Sequence, residues 1–272
     1  MKVSRNAYYN WHNKGSKKNE KLAYLKARIK FHFQENRSIY GSTRIQRKLS
    51  REGLIYSVSY VGKLMQQMGL KSILKRKFVV TTDAKHNNPI AENILNRDFT
   101  SCQTGKKWVS DITYIPVGKH WNYLTTIIDL ADRKVVGWAL SEDMTTENTV
   151  YKAWINARNT REIKEGLIFH SDRGVQYTSN KIVQLLNTNT KVIQSMSRKG
   201  NCWDNAVAES FFKTIKYECI NRYKFETHHQ LYIHIEQYIK WYNTKRIHSA
   251  LNYRTPLEME IIINKNKYKQ VA

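Results

Sequence analysis

The sequence predicts an α/β protein: a mixed five-stranded sheet flanked by helices, preceded by an all-α domain with a helix-turn-helix. Three observations predict it. Apolar residues recur at helical spacing through residues 21–68. From Lys107 the pattern changes to short runs rich in β-branched and aromatic residues, three in succession and then alternating with helical stretches. Charge is divided the same way. The chain carries 46 Lys+Arg against 22 Asp+Glu, a net of +24, and residues 1–80 hold 19 of those bases with 3 acids.

The elements follow in order. "KLAYLKARIKFHFQE" (21–35) reads as a helix. "STRIQRKLSREG" follows, with Ile45 and Leu49 four apart and Gly53 closing the turn. A second helix begins after Ser57, a suitable N-cap, with an apolar stripe of Val58, Val61, Leu64, Met65 and Met68. Helix, glycine turn, helix is a helix-turn-helix pattern, and Ser59, Tyr60 and Lys63 are then the exposed candidates for DNA contact. "TTDAKHNNP" reads as linker. "KWVSDITYIPV", "KHWNYLTTIIDLAD" and "RKVVGWALSE" read as an antiparallel meander. "TTENTVYKAWINARNT" (helix), "GLIFHSD" (strand), "SNKIVQLLNTN" (helix) and "KVIQSMS" (strand) follow. Two further helices come next, from "GNCWDNAVAESFFKTIK" and "THHQLYIHIEQYIKWYNTKR". The predicted boundaries are a basic helical domain at 1–77, a linker at 78–100, the core at 101–262 and a basic tail at 263–272.

A basic excess concentrated in one third of the chain points to a polyanion partner. No apolar stretch reaches the ~18–20 residues needed to cross a bilayer, and the start lacks the apolar segment of a secretory signal. Cys102, Cys202 and Cys219 are odd in number, far apart and without zinc-ligand spacing, so they read as reduced thiols. The expected location is cytoplasmic, associated with the nucleoid.

Three acids fall where chemistry is plausible. Asp111 interrupts an apolar strand, an arrangement that demands a counter-charge or a cation. Asp172 closes the fourth strand, two residues before a glycine, and the carboxyl ends of strands are where open α/β sheets place ligands. Glu209 lies on a helix with Lys213 and Lys216 on the same stripe, and by spacing alone it reads as half of an exposed i,i+4 pair. Three carboxylates can hold two Mg²⁺ ions (Mn²⁺ is an alternative) ~4 Å apart, a pair that clamps a phosphoryl transfer. Asp129, Asp132, Asp204 and Glu218 read as surface or capping acids, though spacing does not remove them as ligands.

Four stretches, "WVSDITYI", "FHSDRGVQYTS", "SMSRKGNCWDNAVAESFFKTIK" and "YNTKRIHSALNYRTPLE", closely resemble bacterial insertion-sequence transposases of the DDE type, relatives of retroviral integrase with a ribonuclease-H-like core. "YGSTRIQRKLSREGLIYSVSYVGKLMQQMGL" resembles the family's helix-turn-helix. The resemblance covers nearly the whole chain. It implies Asp111, Asp172 and Glu209 as the catalytic and metal-binding acids, Lys216 as the basic residue two turns after the glutamate, and Lys213 and Arg173 as further phosphate contacts. It implies cleavage and strand transfer at element ends, with DNA as partner, a homo-oligomer in the DNA complex and an upstream-frame partner or fusion. The alternatives are a DNA-binding regulator or inactive remnant that occupies element ends, and a nuclease that cuts without joining. Thirty-six residues separate Asp172 from Glu209, one more than in most members, and the excess falls within Asn187–Ile193. A turn there would leave the three acids together.

Overall fold

The computed structural model describes residues 4–73, 90–188 and 192–271. The chain forms two compact units, Met1–Lys75 and Arg76–Ala272. Residues 78–89 of the predicted linker lie outside the described residues, as do Asn189, Thr190 and Lys191 around the predicted extra residue.

The first unit is all-helical: α1 (Arg5–Glu35), α2 (Ser42–Arg51) and α3 (Val58–Gln67). α1 starts well before the predicted Lys21. Residues 5–20 contain one glycine and no proline, so nothing stops the helix from extending past its packed part. That packed part is Leu25, Ile29 and Phe33, all buried and four residues apart. Ile45 and Leu49 of α2 meet Val61, Leu64 and Met65 of α3 in the same core. Gly53 turns the chain at φ +80°, and the Ser57 side chain caps α3 by accepting from the Tyr60 N–H at 3.1 Å. Val58 was expected on the apolar stripe, but in the first turn of α3 it is exposed. Arg28 donates to both oxygens of Glu52 (2.9 and 2.5 Å), which ties α1 to the end of α2.

The second unit is built on a five-stranded sheet: β1 (Lys107–Val117), β2 (His120–Asp129), β3 (Val135–Ser141), β4 (Leu167–Ser171) and β5 (Val192–Met196). The order is β3-β2-β1-β4-β5. β1–β2 and β2–β3 are antiparallel, and β1–β4 and β4–β5 are parallel. The helices are α4 (Lys152–Thr160), α5 (Asn180–Asn187), α6 (Ala206–Glu218), α7 (His228–Thr244) and α8 (Pro256–Val271). The predicted mixed sheet, flanked by helices and preceded by a helical domain, is the fold observed. α4 opens with a π turn at Glu147–Tyr151.

α4 and α5 cover one face through Trp154, Ala157, Ile182 and Leu186, packed on Trp108, Ile127, Phe169 and Met196. The approach is close enough to demand glycine at 137, where a Cβ would sit 2.3 Å from the Ala153 carbonyl oxygen. α6 and α7 also pack on the sheet. Residues 90–100 run along the core. Leu95 is buried, and the Ile94 and Leu95 N–H groups donate to Ser195 Oγ. α8 begins with a reciprocal Thr255–Glu258 cap and continues through residues 263–271 without a break.

The four acids read as surface or capping residues are all buried. Arg161 binds Asp129 (2.8 Å), Asp132 (2.6 Å) and Glu260 of α8 (2.7 Å). Arg97 and Arg198 both bind Asp204 at 2.8 Å, and Arg246 binds Glu218 at 2.7 Å. Each acid is neutralised by an arginine distant in sequence or across a loop, which is why local pattern placed them at the surface.

Candidate active site

Asp111 lies midway along β1. Successive strand residues face opposite sides. Trp108 and Ile112 pack with α4 and α5, so Asp111 points to the face where α6 packs on β1. The parallel ladder pairs Lys107 with Ile168, Trp108 with Phe169 and Val109 with His170. Continued two residues, the same register sets Asp111 beside Asp172, one residue past the end of β4, with strands ~4.8 Å apart. The Asp172 carboxylate accepts from the Gly174 N–H at 3.0 Å, and a Cβ on Gly174 would crowd that oxygen at 3.1 Å.

Glu209 is in the first turn of α6. That helix is keyed to β1 by Asn205, whose side-chain N–H donates to the Ser110 carbonyl at 2.9 Å, next to Asp111. Asn205 immediately precedes α6, so this bond fixes the start of the helix that carries Glu209 against β1. Asn205→Ala should lower the melting temperature, at about 1 kcal/mol of stability. An unchanged melting temperature would show that this bond does not anchor α6.

The electrostatics tie these groups together. Burial pushes the Asp111 carboxyl well above its ordinary range. The Asp172 charge adds to this, as does Glu209 more weakly, while the Ile112 N–H and the Lys216 ammonium act the other way. Lys216 is half-buried, and burial lowers its affinity for a proton while Asp111 raises it. Burial, then the charges of Asp111 and Asp172, push up the Tyr177 phenol, which is hydrogen-bonded to Ser110 at 2.8 Å. Asp111 therefore shares one electrostatic neighbourhood with Asp172, Glu209, Lys216 and Tyr177.

Among the described residues no three His, Cys, Asp or Glu side chains are grouped closely enough to hold a metal ion. Glu209 lies 3.6 Å from Lys213, the i,i+4 pair expected from spacing alone. Arg173 donates from Nε to the Ser197 carbonyl at 2.7 Å, which braces the Asp172 loop on the strand beside it. In the helical unit Ser59, Tyr60 and Lys63 are exposed on α3.

Sequence reasoning missed Asn205, Tyr177 and His170. The spacing of Asn205 four residues before Glu209 was the one available signal. His170 is fully buried between Ser195 Oγ (2.9 Å) and Ser197 Oγ (3.1 Å), and burial pulls its pKa down to about 4, with Asp204 opposing. The folded state thus resists a proton that the unfolded chain takes up near pH 6.5. This contribution is complete above that pH and is lost as pH falls towards 4, by on the order of 3 kcal/mol. His170→Gln should flatten the melting temperature across this window. An unchanged acid slope would show that His170 is not the sensitive group.

Integrase core domain family models match residues 102–202 and 190–256, and an HTH-like domain model matches residues 19–78. The chain is 38% identical over 250 residues to the transposase for insertion sequence element IS904 of Lactococcus lactis, covering 92% of this chain and 98% of that protein. It is 32% identical over 271 residues to transposase InsF for insertion sequence IS3A of Escherichia coli, covering 98% and 92%. An uncharacterized 31 kDa protein of insertion element IS600 from Shigella sonnei is 36% identical over 272 residues, covering 99% and 97%. Among solved structures, a chain of the simian T-cell lymphotropic virus intasome in complex with PP2A regulatory subunit B56 gamma matches with TM-score 0.50 at 12% identity, covering 79% of this chain and 70% of that one. At that identity the likeness concerns the fold. Described residues form no helix long and apolar enough to cross a membrane. Matched along nearly its full length by transposases, with an HTH-like domain ahead of an integrase core, the chain belongs to the insertion-sequence transposases.

Proposed function

We propose that this transposase cuts a DNA strand at the element end and joins the released 3′-hydroxyl to a second strand, using Asp111, Asp172 and Glu209. What supports the reading is the parallel β1–β4 register, which continued two residues past its last pair sets Asp111 beside Asp172, and the Asn205 bond that joins the start of the Glu209 helix to the same strand. The donor set suits Mg²⁺ or Mn²⁺. These are hard oxygen donors, and the charge of one aspartate is disfavoured by the other two acids. Asp111 and Asp172 would hold a first ion. Glu209 would leave Lys213 to help hold a second. Bound ions supply charge neutralisation and an activated attacking oxygen.

The chain's own groups position the strand. Lys216 and Lys213 would hold phosphates beside the acids, and Arg173 keeps the Asp172 loop in place. Tyr177, whose phenol stays protonated, would remain a neutral wall of the site. In each step one P–O bond forms as another breaks: first water displaces a 3′-oxygen, then that 3′-hydroxyl attacks a phosphodiester of the second strand. Ser59, Tyr60 and Lys63 on α3 would contact element-end DNA. The active form would be a homo-oligomer on DNA, with an upstream-frame partner where one is encoded.

A labelled duplex carrying the DNA that flanks the gene, incubated with Mg²⁺, tests this. The reading requires shortened strands together with longer, joined products, both lost with a chelator. Cutting without joining would make the protein a nuclease, and binding without cutting would make it an occupant of element ends.

A further inference from the structure

Trp203 is 67% exposed, an unfavourable state for so large an apolar ring. It lies on the 3₁₀ turn Cys202–Asn205 that leads into α6, six residues before Glu209. No aromatic ring among the described residues stacks on it. Trp121 is exposed as well, but it packs edge-on against Tyr114.

The backbone that presents Trp203 is held firmly. Asp204, the next residue, is fully buried and accepts from Arg97 Nε (2.8 Å), Arg198 Nε (2.9 Å) and Nη2 (2.8 Å), and Asn93 Nδ2 (2.9 Å). Asn205, after it, is bonded to Ser110. An exposed tryptophan on a turn this well anchored is pre-organised: little conformational freedom remains to be lost when a partner covers it. The surroundings select the partner. Arg97 and Arg198 share the single charge of Asp204 and are themselves about half exposed, and Lys199 is exposed on the same loop. A flat ring beside excess positive charge is how proteins hold an unpaired nucleobase with its phosphates.

We infer that Trp203 is a stacking platform for an unpaired base of the DNA strand entering the site, next to Glu209. This deepens the strand-transfer reading and rests on it. The bases of an intact duplex are already stacked, so the platform favours strand ends, single-stranded extensions and locally opened flanks. It would hold the strand beyond the reacting phosphate and take no part in the chemistry.

The full-length protein should be tested with two probes of equal length: a blunt duplex, and a duplex with a 3′ single-stranded extension containing 2-aminopurine. Wild type should quench the 2-aminopurine on binding. Trp203→Phe, which keeps a stacking ring, should retain most of that quenching. Trp203→Ala should lose it and bind the extended probe about 5- to 150-fold more weakly, with blunt-duplex affinity unchanged. Equal affinity of wild type and Trp203→Ala for the extended probe would overturn the platform. An equal loss on both probes would also overturn it, by making Trp203 a general DNA contact. Mg²⁺-dependent cleavage, assayed on the same preparations, separates the two proposals. Normal cleavage with unaltered binding by Trp203→Ala would sink the platform alone, whereas absence of cleavage in the wild type would sink the strand-transfer reading.

Discussion

Asp172→Asn is expected to abolish metal-dependent cleavage and joining while leaving DNA binding in place, and Asp111→Asn and Glu209→Gln should do the same. Even the outer partners of metal ligands are worth about 10- to 100-fold, so losing a direct donor should reduce activity by more than about 100-fold. Affinity should persist because most of it comes from the basic surface of a chain with net charge +24. Stability gives an independent readout at Asp111. Burial and its acidic neighbours raise the proton affinity of this carboxyl in the folded state. Its contribution to stability is therefore greatest at low pH and is lost as pH rises past the ordinary 3.8 towards the raised value. At neutral pH without metal, Asp111→Asn should melt at a temperature equal to or above that of wild type. Retained cleavage in any of the three variants would remove that residue from the site. A marked drop in the melting temperature of Asp111→Asn would make its carboxylate a structural acceptor instead.

Arg246→Ala should be strongly destabilising. Arg246 is 5% exposed and donates to both oxygens of Glu218, itself 2% exposed, at 2.7 Å each. Tyr238 donates to the same carboxylate at 2.7 Å. Removing the guanidinium strands a buried charge, which costs about 3–5 kcal/mol, on the order of 10 °C in melting temperature for a unit of this size. Glu218 is nine residues beyond Glu209 on α6, two and a half turns away and so on the opposite face. The far end of the helix that carries Glu209 is thus clamped to α7 and the segment after it. Replacing both partners with apolar residues, Glu218→Leu with Arg246→Met, should recover much of the stability, because no charge is then left buried alone. A melting temperature within a degree or two of wild type for Arg246→Ala would show that water reaches the pair.

Much of the fold was legible because its signals are local. The three strand runs from Lys107, the cap at Ser57 and the Glu209–Lys213 pair follow from period, capping chemistry and spacing, and all occur as read. The misread positions are those where distant chain segments decide. Asp129, Asp132, Asp204 and Glu218 look like surface acids until Arg161, Arg97, Arg198 and Arg246 arrive from elsewhere. Val58 carries the right period but lies in a first turn that nothing covers.

By itself, the sequence determined the succession of elements, the basic bias of the N-terminal third and, through long motifs, the family and its three candidate acids. Tertiary structure alone decided which acids are spent on buried ion pairs. The reason is electrostatic. A buried carboxylate is stabilised by whichever cation the fold brings to it, and register, not sequence distance, sets that partner. The β1–β4 ladder pairs Val109 with His170, two residues before Asp111 and Asp172, across sixty intervening residues, while Asp204, only five residues from Glu209, is committed to two arginines.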